Sequence, residues 1–272
     1  RSPPPPRLVK AGYKEVILTG IHLGSYGRDL DDADGIDLAG ITRMVAAVDG
    51  LARVRLSSVE PTDVTVELIR LVAENPRVCR HLHIPLQSGN DATLKRMNRK
   101  YSTAEFAGAV QRVRREAPGV AISTDVIVGF PGETDADFAS SLDFVREMAF
   151  SRLHVFKYSP RKGTAAARFP GQAPGRVKEE RSQAMIHLGE ELSLDFHRKF
   201  VGEVLEVLFE QSEEPGYLSG LTDNYIKVEA PVVGAETLTG EGVEALTGEI
   251  RPVRLMKAYA DRMRGVIESR PG

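Results

Sequence analysis

Residues 124–134 read TDVIVGFPGET, and this stretch decides the fold. The β-branched run from Val126 to Val128 is typical of a buried strand. The Gly-Phe-Pro-Gly turn ends that strand, and Thr134 is a favourable N-cap for a helix. Glycines at this position would let the backbone approach a ligand, beside the free N–H groups of a helix start. The same residues also suit an ordinary tight turn with a capping threonine, and the stretch alone favours neither interpretation.

The strand-then-helix pattern repeats on both sides of this stretch. Apolar runs predict four further strands, at residues 15–20, 54–58, 81–84 and 153–156. Helical spacing and caps predict helices at residues 36–48, from Thr62-Asp63 to about 74, 91–97, 102–116 and 134–148. Such alternation is typical of a parallel α/β layer. Five units do not close a barrel, and residues 8–12 look like the last turn of a helix whose preceding strand is absent. We therefore expect an incomplete barrel.

The pattern changes near residue 200. Apolar residues from Met185 to Phe200 recur at spacings of three and four, which predicts a long amphipathic helix. Beyond it, short period-two runs predict strands at residues 204–208, 217–221, 225–228, 250–255 and 263–267. The charge balance changes as well, from 29 − 25 = +4 before residue 201 to 7 − 13 = −6 after it. The sequence thus predicts two domains, residues 1–200 and 201–272, the second a small all-β barrel.

Composition excludes several classes of protein. The formal charge is 36 − 38 = −2, and Cys79 is the single cysteine in 272 residues. One cysteine rules out an internal disulfide and any metal site built from several cysteines of this chain. No apolar run approaches the ~20 residues of a membrane span, and residues 1–6 form a polyproline stretch rather than a signal peptide. We expect a soluble, cytoplasmic protein with no membrane partner.

Polar groups gather where the predicted strands end. In HLHIPLQSG, residues 81–89, Gln87 and Ser88 follow the strand, where parallel folds keep their binding sites. His81 and His83 alternate along the strand itself, so packed core positions are the expectation for both.

A second polar segment, FKYSPRKGT at residues 156–164, follows the last strand. It joins the aromatic rings of Phe156 and Tyr158 to the cations Arg161 and Lys162. Such a segment could bind RNA, with the rings stacking on bases and the cations pairing with phosphates. The alternative is an ordinary solvent-exposed loop.

Several segments together resemble one family over almost the whole chain, the radical S-adenosylmethionine (SAM) methylthiotransferases. The segments occur in the order found there: LTG at 18–20, SSVEP at 57–61, PLQSG at 85–89, LKRM at 94–97, VIVGFPGET at 126–134 and YSPR at 158–161. The all-β part resembles the TRAM domain that ends these enzymes. The resemblance implies an incomplete (β/α)6 radical-SAM partial barrel followed by a TRAM barrel. Residues 20–27, 79–83 and 153–156 look most like the branch that thiomethylates N6-threonylcarbamoyladenosine beside the tRNA anticodon.

The resemblance also implies cofactors and partners. These are S-adenosylmethionine, two 4Fe-4S clusters, the tRNA anticodon stem-loop, and an electron donor such as flavodoxin or ferredoxin. Clusters need cysteine thiolates, and Cys79 matches a family position that is not a cluster ligand, so we expect it to be a small buried hydrophobe. Intact motifs without cluster cysteines indicate a fragment, inactive alone in the radical step. A degenerate, noncatalytic RNA-binding paralogue and a methylthiotransferase acting on a ribosomal protein are the alternatives.

The same resemblance implies site residues. The expected cofactor-binding residues are Thr19, Gly20, His22, Gln87, Ser88, Asp125, Ile127, Gly129, Phe156 and Tyr158. The expected RNA-binding residues are Arg161, Lys162, Arg251 and Arg254. No metal ligand is expected in this chain.

Overall fold

A computed structural model describes residues 7–28, 35–210, 216–231 and 246–269. The N-terminal polyproline stretch, and part of the loop after the first strand, lie outside these residues. The described helices are α1 (Arg7–Lys10), α2 (Leu38–Ala46), α3 (Val66–Glu74), α4 (Asp91–Arg96), α5 (Thr103–Glu116), α6 (Asp135–Met148) and α7 (Gly175–Arg198). The described strands are β1 (Glu15–Leu18), β2 (Arg53–Leu56), β3 (His81–His83), β4 (Ala121–Val128), β5 (Arg152–Lys157), β6 (Val204–Glu210), β7 (Tyr217–Thr222), β8 (Lys227–Pro231), β9 (Ile250–Ala258) and β10 (Met263–Ile267).

Strands β1 to β5 form the predicted parallel layer, with neighbours in chain order. β1 pairs with β2, and β3, β4 and β5 pair in a second sheet. Single parallel bridges, Val54 to Val78 and Ser58 to His83, join the two sheets. Together with the helices between the strands, this is the partial barrel that the sequence predicts, so the expected fold class is confirmed.

Alternation along the strands separates a helix-covered face from a polar face, which we call the lumen. Val126 and Val128 of β4 are buried in the main apolar core, together with Leu82 of β3. Because successive side chains of a strand point to opposite faces, Asp125 and Ile127 point the other way, into the lumen.

The N-terminus of α3 differs from the prediction. Residues 61–63 form a single 3-10 turn, and the helix is capped by Thr65, whose hydroxyl accepts a hydrogen bond from the Leu68 N–H at 3.1 Å. The predicted cap at Thr62-Asp63 was wrong because the Asp63 carboxylate binds His22 and Arg28 instead.

The long helix also begins earlier than predicted, at Gly175 rather than near Met185. Its first ten residues are mostly polar and carry little apolar periodicity. One of them, Arg181, is nevertheless buried, because it forms an ion pair with Glu133 at 2.7 Å.

Strands β6 to β10 close a small barrel in the order β10-β8-β7-β6-β9. Its own apolar core includes Val207, Phe209, Val228 and Leu255, all fully buried. The predicted all-β barrel is therefore confirmed. Strand β8 starts later than the predicted residue 225, because Tyr225 adopts a positive φ of 68° in the turn before it.

Two arginines of β2 join this barrel to the parallel layer. Arg53 donates to the carbonyl oxygens of Glu206 and Leu221, at 2.5 and 3.1 Å. Arg55 donates to the carbonyls of Thr222 and Asp223, at 2.9 and 3.1 Å. The barrel thus packs against the amino ends of the parallel strands, opposite the edge where they end. The division into domains at residue 200 stays a prediction.

No helix in the described part of the chain is long and apolar enough to cross a membrane.

Candidate active site at the carboxyl edge of the parallel strands

The carboxyl ends of β1 to β5 meet at one edge because the strands are parallel neighbours in chain order. Most predicted cofactor-binding residues lie at this edge. Thr19 and Gly20 follow β1, Gln87 and Ser88 follow β3, and Gly129 and Tyr158 follow β4 and β5. Ile127 and Phe156 are register partners near the ends of β4 and β5.

The loop after β1 is held by a buried carboxylate. His22 Nε2 donates to Asp63 Oδ2 at 2.9 Å, and Arg28 donates to Asp63 Oδ1 at 2.5 Å. Ser25 Oγ lies 2.8 Å from His22 Nδ1, so both imidazole nitrogens have partners. Gly24 lets the loop approach this closely, since a Cβ there would lie 2.2 Å from Asp63 Oδ2. His22 therefore shapes the loop.

The anchored loop leaves a cavity open at its surface. Thr19, Gly20 and His22 line this cavity of about 500 Å³ together with Tyr26 and Arg28. Thr19 and Gly20 are exposed, so their backbone groups are accessible to a ligand at the edge.

Gln87 continues the sheet past the end of β3. Its N–H donates to the Asp125 carbonyl at 2.8 Å, and its carbonyl accepts from the Ile127 N–H at 2.8 Å. It does so with a φ of +69°, a conformation that side-chain-bearing residues adopt at a free-energy cost and often at functional sites. Ser88 is 1% exposed and its hydroxyl accepts from the Asn90 N–H at 3.3 Å. Of the two residues, Gln87 is the more accessible at the edge.

The turn after β4 uses its polar groups internally. The Gly129 N–H donates to Glu133 Oε2 at 2.7 Å, and the Thr134 and Asp137 side chains cap the first turn of α6 reciprocally. Burial raises the pKa of Glu133, against the opposing effects of the Gly129 N–H and the Arg181 guanidinium. Of the two interpretations of this stretch, the described contacts are those of a tight, capped turn.

Apolar side chains line the upper lumen, and two buried hydroxyls belong to residues that follow β2 and β5 at the same edge. Ile17 and Phe156, on the two outer strands β1 and β5, are 57% and 51% exposed, and the half-buried Ile127 is the register partner of Phe156. Among the described residues, the buried Ser57 Oγ and Tyr158 Oη have no hydrogen-bond partner. Tyr158 packs edge-on against Phe130, with ring centroids 5.0 Å apart. An apolar wall with unsatisfied hydroxyls fits a ligand that has both a flat apolar face and polar atoms.

The four predicted RNA-binding residues have different surroundings. Arg161 and Lys162 are exposed beside this edge, and no ion pair within the described residues involves either side chain. Arg254 donates to Glu268 at 2.6 Å and to the Gly202 carbonyl at 3.0 Å. Arg251 lies 3.5 Å from Glu249. The two cations of the edge are thus more available to phosphates than the two of the β-barrel.

Asp125 lies on β4 two residues before Ile127, deeper in the lumen and between two histidines. His83 Nε2 and His154 Nδ1 are each 3.3 Å from Asp125 Oδ1. Burial opposes ionisation of this carboxyl, but hydrogen bonds from His154 and His83 hold its pKa well below the usual range. His83 is not the packed core residue that the sequence predicts, whereas His81 is buried as expected. Strand alternation places residues 81, 83, 123, 125, 152 and 154 on the lumen face, but the register between the strands is what brings His83, Asp125 and His154 together.

Comparison with known proteins agrees with this architecture. The Radical SAM superfamily profile matches residues 7–145, and the chain belongs to that superfamily. Within it, the chain is similar to tRNA methylthiotransferases. The threonylcarbamoyladenosine tRNA methylthiotransferase MtaB of Bacillus subtilis is 41% identical over 256 residues, covering 93% of this chain and 54% of that protein. The MtaB of Thermotoga maritima is 43% identical over 222 residues, covering 82% and 50%.

A second group of relatives carries a different name. The tRNA-2-methylthio-N(6)-dimethylallyladenosine synthase of Moorella thermoacetica is 40% identical over 260 residues, covering 95% of this chain and 56% of that protein. The chain thus spans about half the length of the curated relatives it matches. Among solved structures, coproporphyrinogen III oxidase of Escherichia coli covers 64% of this chain and 47% of its own, at 14% identity and a TM-score of 0.45.

Membership of this superfamily implies SAM and an iron–sulfur cluster. The residues present fit SAM but not the cluster. The apolar wall and the unpaired Ser57 and Tyr158 hydroxyls suit the adenosine part of SAM. Cluster ligation does not fit, because it needs several thiolates and the chain has one cysteine. That residue, Cys79, is buried, burial raises the pKa of its thiol to about 12, and its Sγ lies 3.8 Å from Glu15 Oε2.

Proposed function

We propose that the chain is the SAM- and RNA-binding part of a tRNA methylthiotransferase that acts on N6-threonylcarbamoyladenosine beside the anticodon, in the cytoplasm. The observation that carries the proposal is the carboxyl edge itself, where apolar side chains and two hydroxyls lie beside two cations, and neither the hydroxyls nor the cations have a partner within the part of the chain that the structure describes. When bound, SAM supplies the alkyl and radical chemistry of the superfamily. The cysteine-ligated clusters and an electron donor, such as flavodoxin or ferredoxin, would have to come from outside these 272 residues.

The residues of the edge have separate tasks in this proposal. Ile127 and Phe156 pack against the adenine of SAM, and the Tyr158 hydroxyl offers it a hydrogen bond. Gln87 orients the ribose from the end of β3, and the exposed backbone of Thr19 and Gly20 receives the methionine end. Ser88 and Gly129 support this surface from beneath, since their polar groups bind within the chain.

Substrate RNA is bound beside the same opening. Arg161 and Lys162 pair with phosphates of the anticodon stem-loop and hold the target base at the edge. Arg251 and Arg254 contribute less, because each already has an acidic neighbour. The alternative substrate of the superfamily branch, a ribosomal protein, is tested in the same experiment.

The decisive measurement is filter binding of an anticodon stem-loop containing N6-threonylcarbamoyladenosine, titrated at several salt concentrations. The Arg161→Ala/Lys162→Ala variant should bind more weakly and lose up to about two units from the slope of log K against log salt, at about 0.9 per phosphate contact. The matched control is Arg115→Ala/Arg146→Ala, which removes the same charge near the far ends of α5 and α6. Equal slopes in both double variants would remove the edge cations from the RNA site. Salt-independent binding by the parent, with tighter binding of a ribosomal-protein peptide, would overturn the tRNA proposal.

A further inference from the structure

The lower lumen contains three side chains whose ligand atoms converge. Nε2 of His83, Nδ1 of His154 and a carboxylate oxygen of Asp125 all lie within 4.8 Å of one another. The three residues come from β3, β5 and β4, which are adjacent strands. In the register of the sheet Asp125 lies opposite His154, so backbone pairing fixes their approach.

The distances to Asp125 are long for charge-assisted hydrogen bonds and close to the spacing between ligands of one metal ion. Each imidazole nitrogen is 3.3 Å from Asp125 Oδ1, beyond the usual 2.7–2.9 Å of a charge-assisted N–H···O bond. Ligand atoms placed about 2.1 Å from a tetrahedral ion stand about 3.4 Å apart. The two imidazole rings are stacked, with centroids 5.5 Å apart and planes inclined by 28°, and their ligand atoms lie within 4.8 Å of each other.

A hydrogen-bond chain behind His83 fixes the orientation of its ring. His83 Nδ1 is 2.8 Å from Ser123 Oγ, and Ser123 Oγ is 2.8 Å from His81 Nε2. Metal-binding histidines typically use their second nitrogen in this way, which sets the tautomer that leaves the first nitrogen free to bind. His81 is buried with Nδ1 unpaired among the described residues, and it lines a cavity of about 180 Å³ at the junction with the β-barrel. That cavity is large enough for a water that completes the chain.

We propose that His83, Asp125 and His154 form a binding site for one divalent transition-metal ion, such as Zn²⁺ or Fe²⁺, separate from any iron–sulfur cluster. Two imidazoles and one carboxylate are a ligand set that both ions accept, with coordination positions left open. The open positions face up the lumen toward Ile127 and Phe156. The ion therefore lies beneath the proposed SAM surface, and Asp125 acts as its ligand rather than as a contact of the adenine.

Titration of the chain with Zn²⁺ alone tests this site without RNA or SAM, so its result is independent of the proposed function. We expect one equivalent to bind with high affinity, and at least a hundredfold loss of affinity in Asp125→Asn. Co²⁺ at the same site should give visible d–d bands without sulfur charge transfer. Ser123→Ala should weaken binding by about 10–100-fold, as substitutions behind a metal-binding histidine do.

His154→Ala is the second variant, because the His154 side chain is 39% exposed and its loss should leave the fold intact even if Asp125→Asn disturbs it. The control is His187→Ala, which removes an imidazole lying 3.3 Å from Glu191 on the surface of α7. Circular dichroism verifies that each variant is folded. Absence of a stoichiometric site in the parent chain, or equal affinity in the His154→Ala and His187→Ala variants, would overturn the proposal.

Discussion

Arg55 and Glu15 form a bidentate ion pair across the first two strands. Arg55 Nε lies 2.6 Å from Glu15 Oε1, and a terminal guanidinium nitrogen lies 3.2 Å from Glu15 Oε2. Their side chains are 2% and 9% exposed, so the pair is almost completely buried. The same guanidinium donates to two carbonyls of the β-barrel. One side chain thus links β1, β2 and the second barrel.

Replacing Arg55 by alanine should strongly destabilise the protein. The change leaves the buried Glu15 carboxylate with only the more distant Arg53, at 3.9 Å, so the loss should approach the roughly 3–5 kcal/mol of a broken buried pair. Urea unfolding of Arg55→Ala measures this free energy. The control is Asp143→Asn, in the Arg146–Asp143 pair whose side chains are 59% and 79% exposed, and it should unfold like the parent. Equal losses in both variants would contradict the assigned role of Arg55.

Gly24→Ala should disturb the loop after β1. A Cβ there would lie 2.2 Å from Asp63 Oδ2, so the carboxylate must move away from His22 and Arg28. We expect a loss of about 1–3 kcal/mol, as for other overpacked sites, measured by thermal unfolding. Gly20→Ala is the matched control, because its new Cβ would meet no atom closer than 3.7 Å. If the control loses as much stability as Gly24→Ala, the close approach to Asp63 is not the cause.

Stability should fall with acidification partly through His81. Burial, and then the positive charge of Arg55, lower the pKa of this imidazole well below its usual 6.5. Below pH 6.5 the imidazole is therefore protonated in the unfolded chain but stays neutral in the folded chain. The contribution of His81 to the free energy of unfolding is present above pH 6.5 and is lost as the pH falls below it. One such group changes the free energy of unfolding by about 1.4 kcal/mol per pH unit.

Urea unfolding at pH 7, 6 and 5 measures the effect. His81→Gln should reduce the slope of stability against pH by about one proton. The pKa of His197 is also lowered by burial. Replacing His197 together with His81 should therefore reduce the slope of stability against pH further than the His81→Gln change alone. If His81→Gln shows the same slope of stability against pH as the parent, this imidazole does not cause the loss of stability in acid.

Anaerobic reconstitution with iron and sulfide should leave this chain without a 4Fe-4S cluster. A cluster of this kind requires several thiolates, and the only cysteine has its thiol pKa raised to about 12 by burial. Iron and sulfide analysis, with the visible charge-transfer absorbance, is the readout. About four irons and four sulfides per chain would contradict the argument.

Much of the fold could be predicted from the sequence because its signals are local. The apolar runs that give β1 to β5, and the change of period near residue 200, depend only on neighbours along the chain. The cap of α3 could not be predicted in this way. Asp63 looks like a capping residue, but His22 and Arg28, 41 and 35 residues away, bind its carboxylate.

The site was predicted in part for the same reason. Strand ends identify the carboxyl edge, so the positions of Gln87 and Tyr158 at that edge follow from the sequence, while their role in binding stays a prediction. The relation of Asp125 to His83 and His154 depends on the register between three strands, which no single strand reveals. The burial of Arg181 likewise depends on Glu133, in a turn 48 residues earlier.

The turn at Tyr225 also bears on how freely the β-barrel could be exchanged between relatives. Its ring stacks on His81 at 4.6 Å and lies under Arg55 at 4.8 Å, while the carbonyls before it receive the arginine hydrogen bonds. A barrel transplanted from another protein would have to bring an aromatic residue with positive φ at this turn, or leave buried guanidinium groups without acceptors. Chimeras should therefore succeed or fail by this one turn rather than by overall similarity of the barrels.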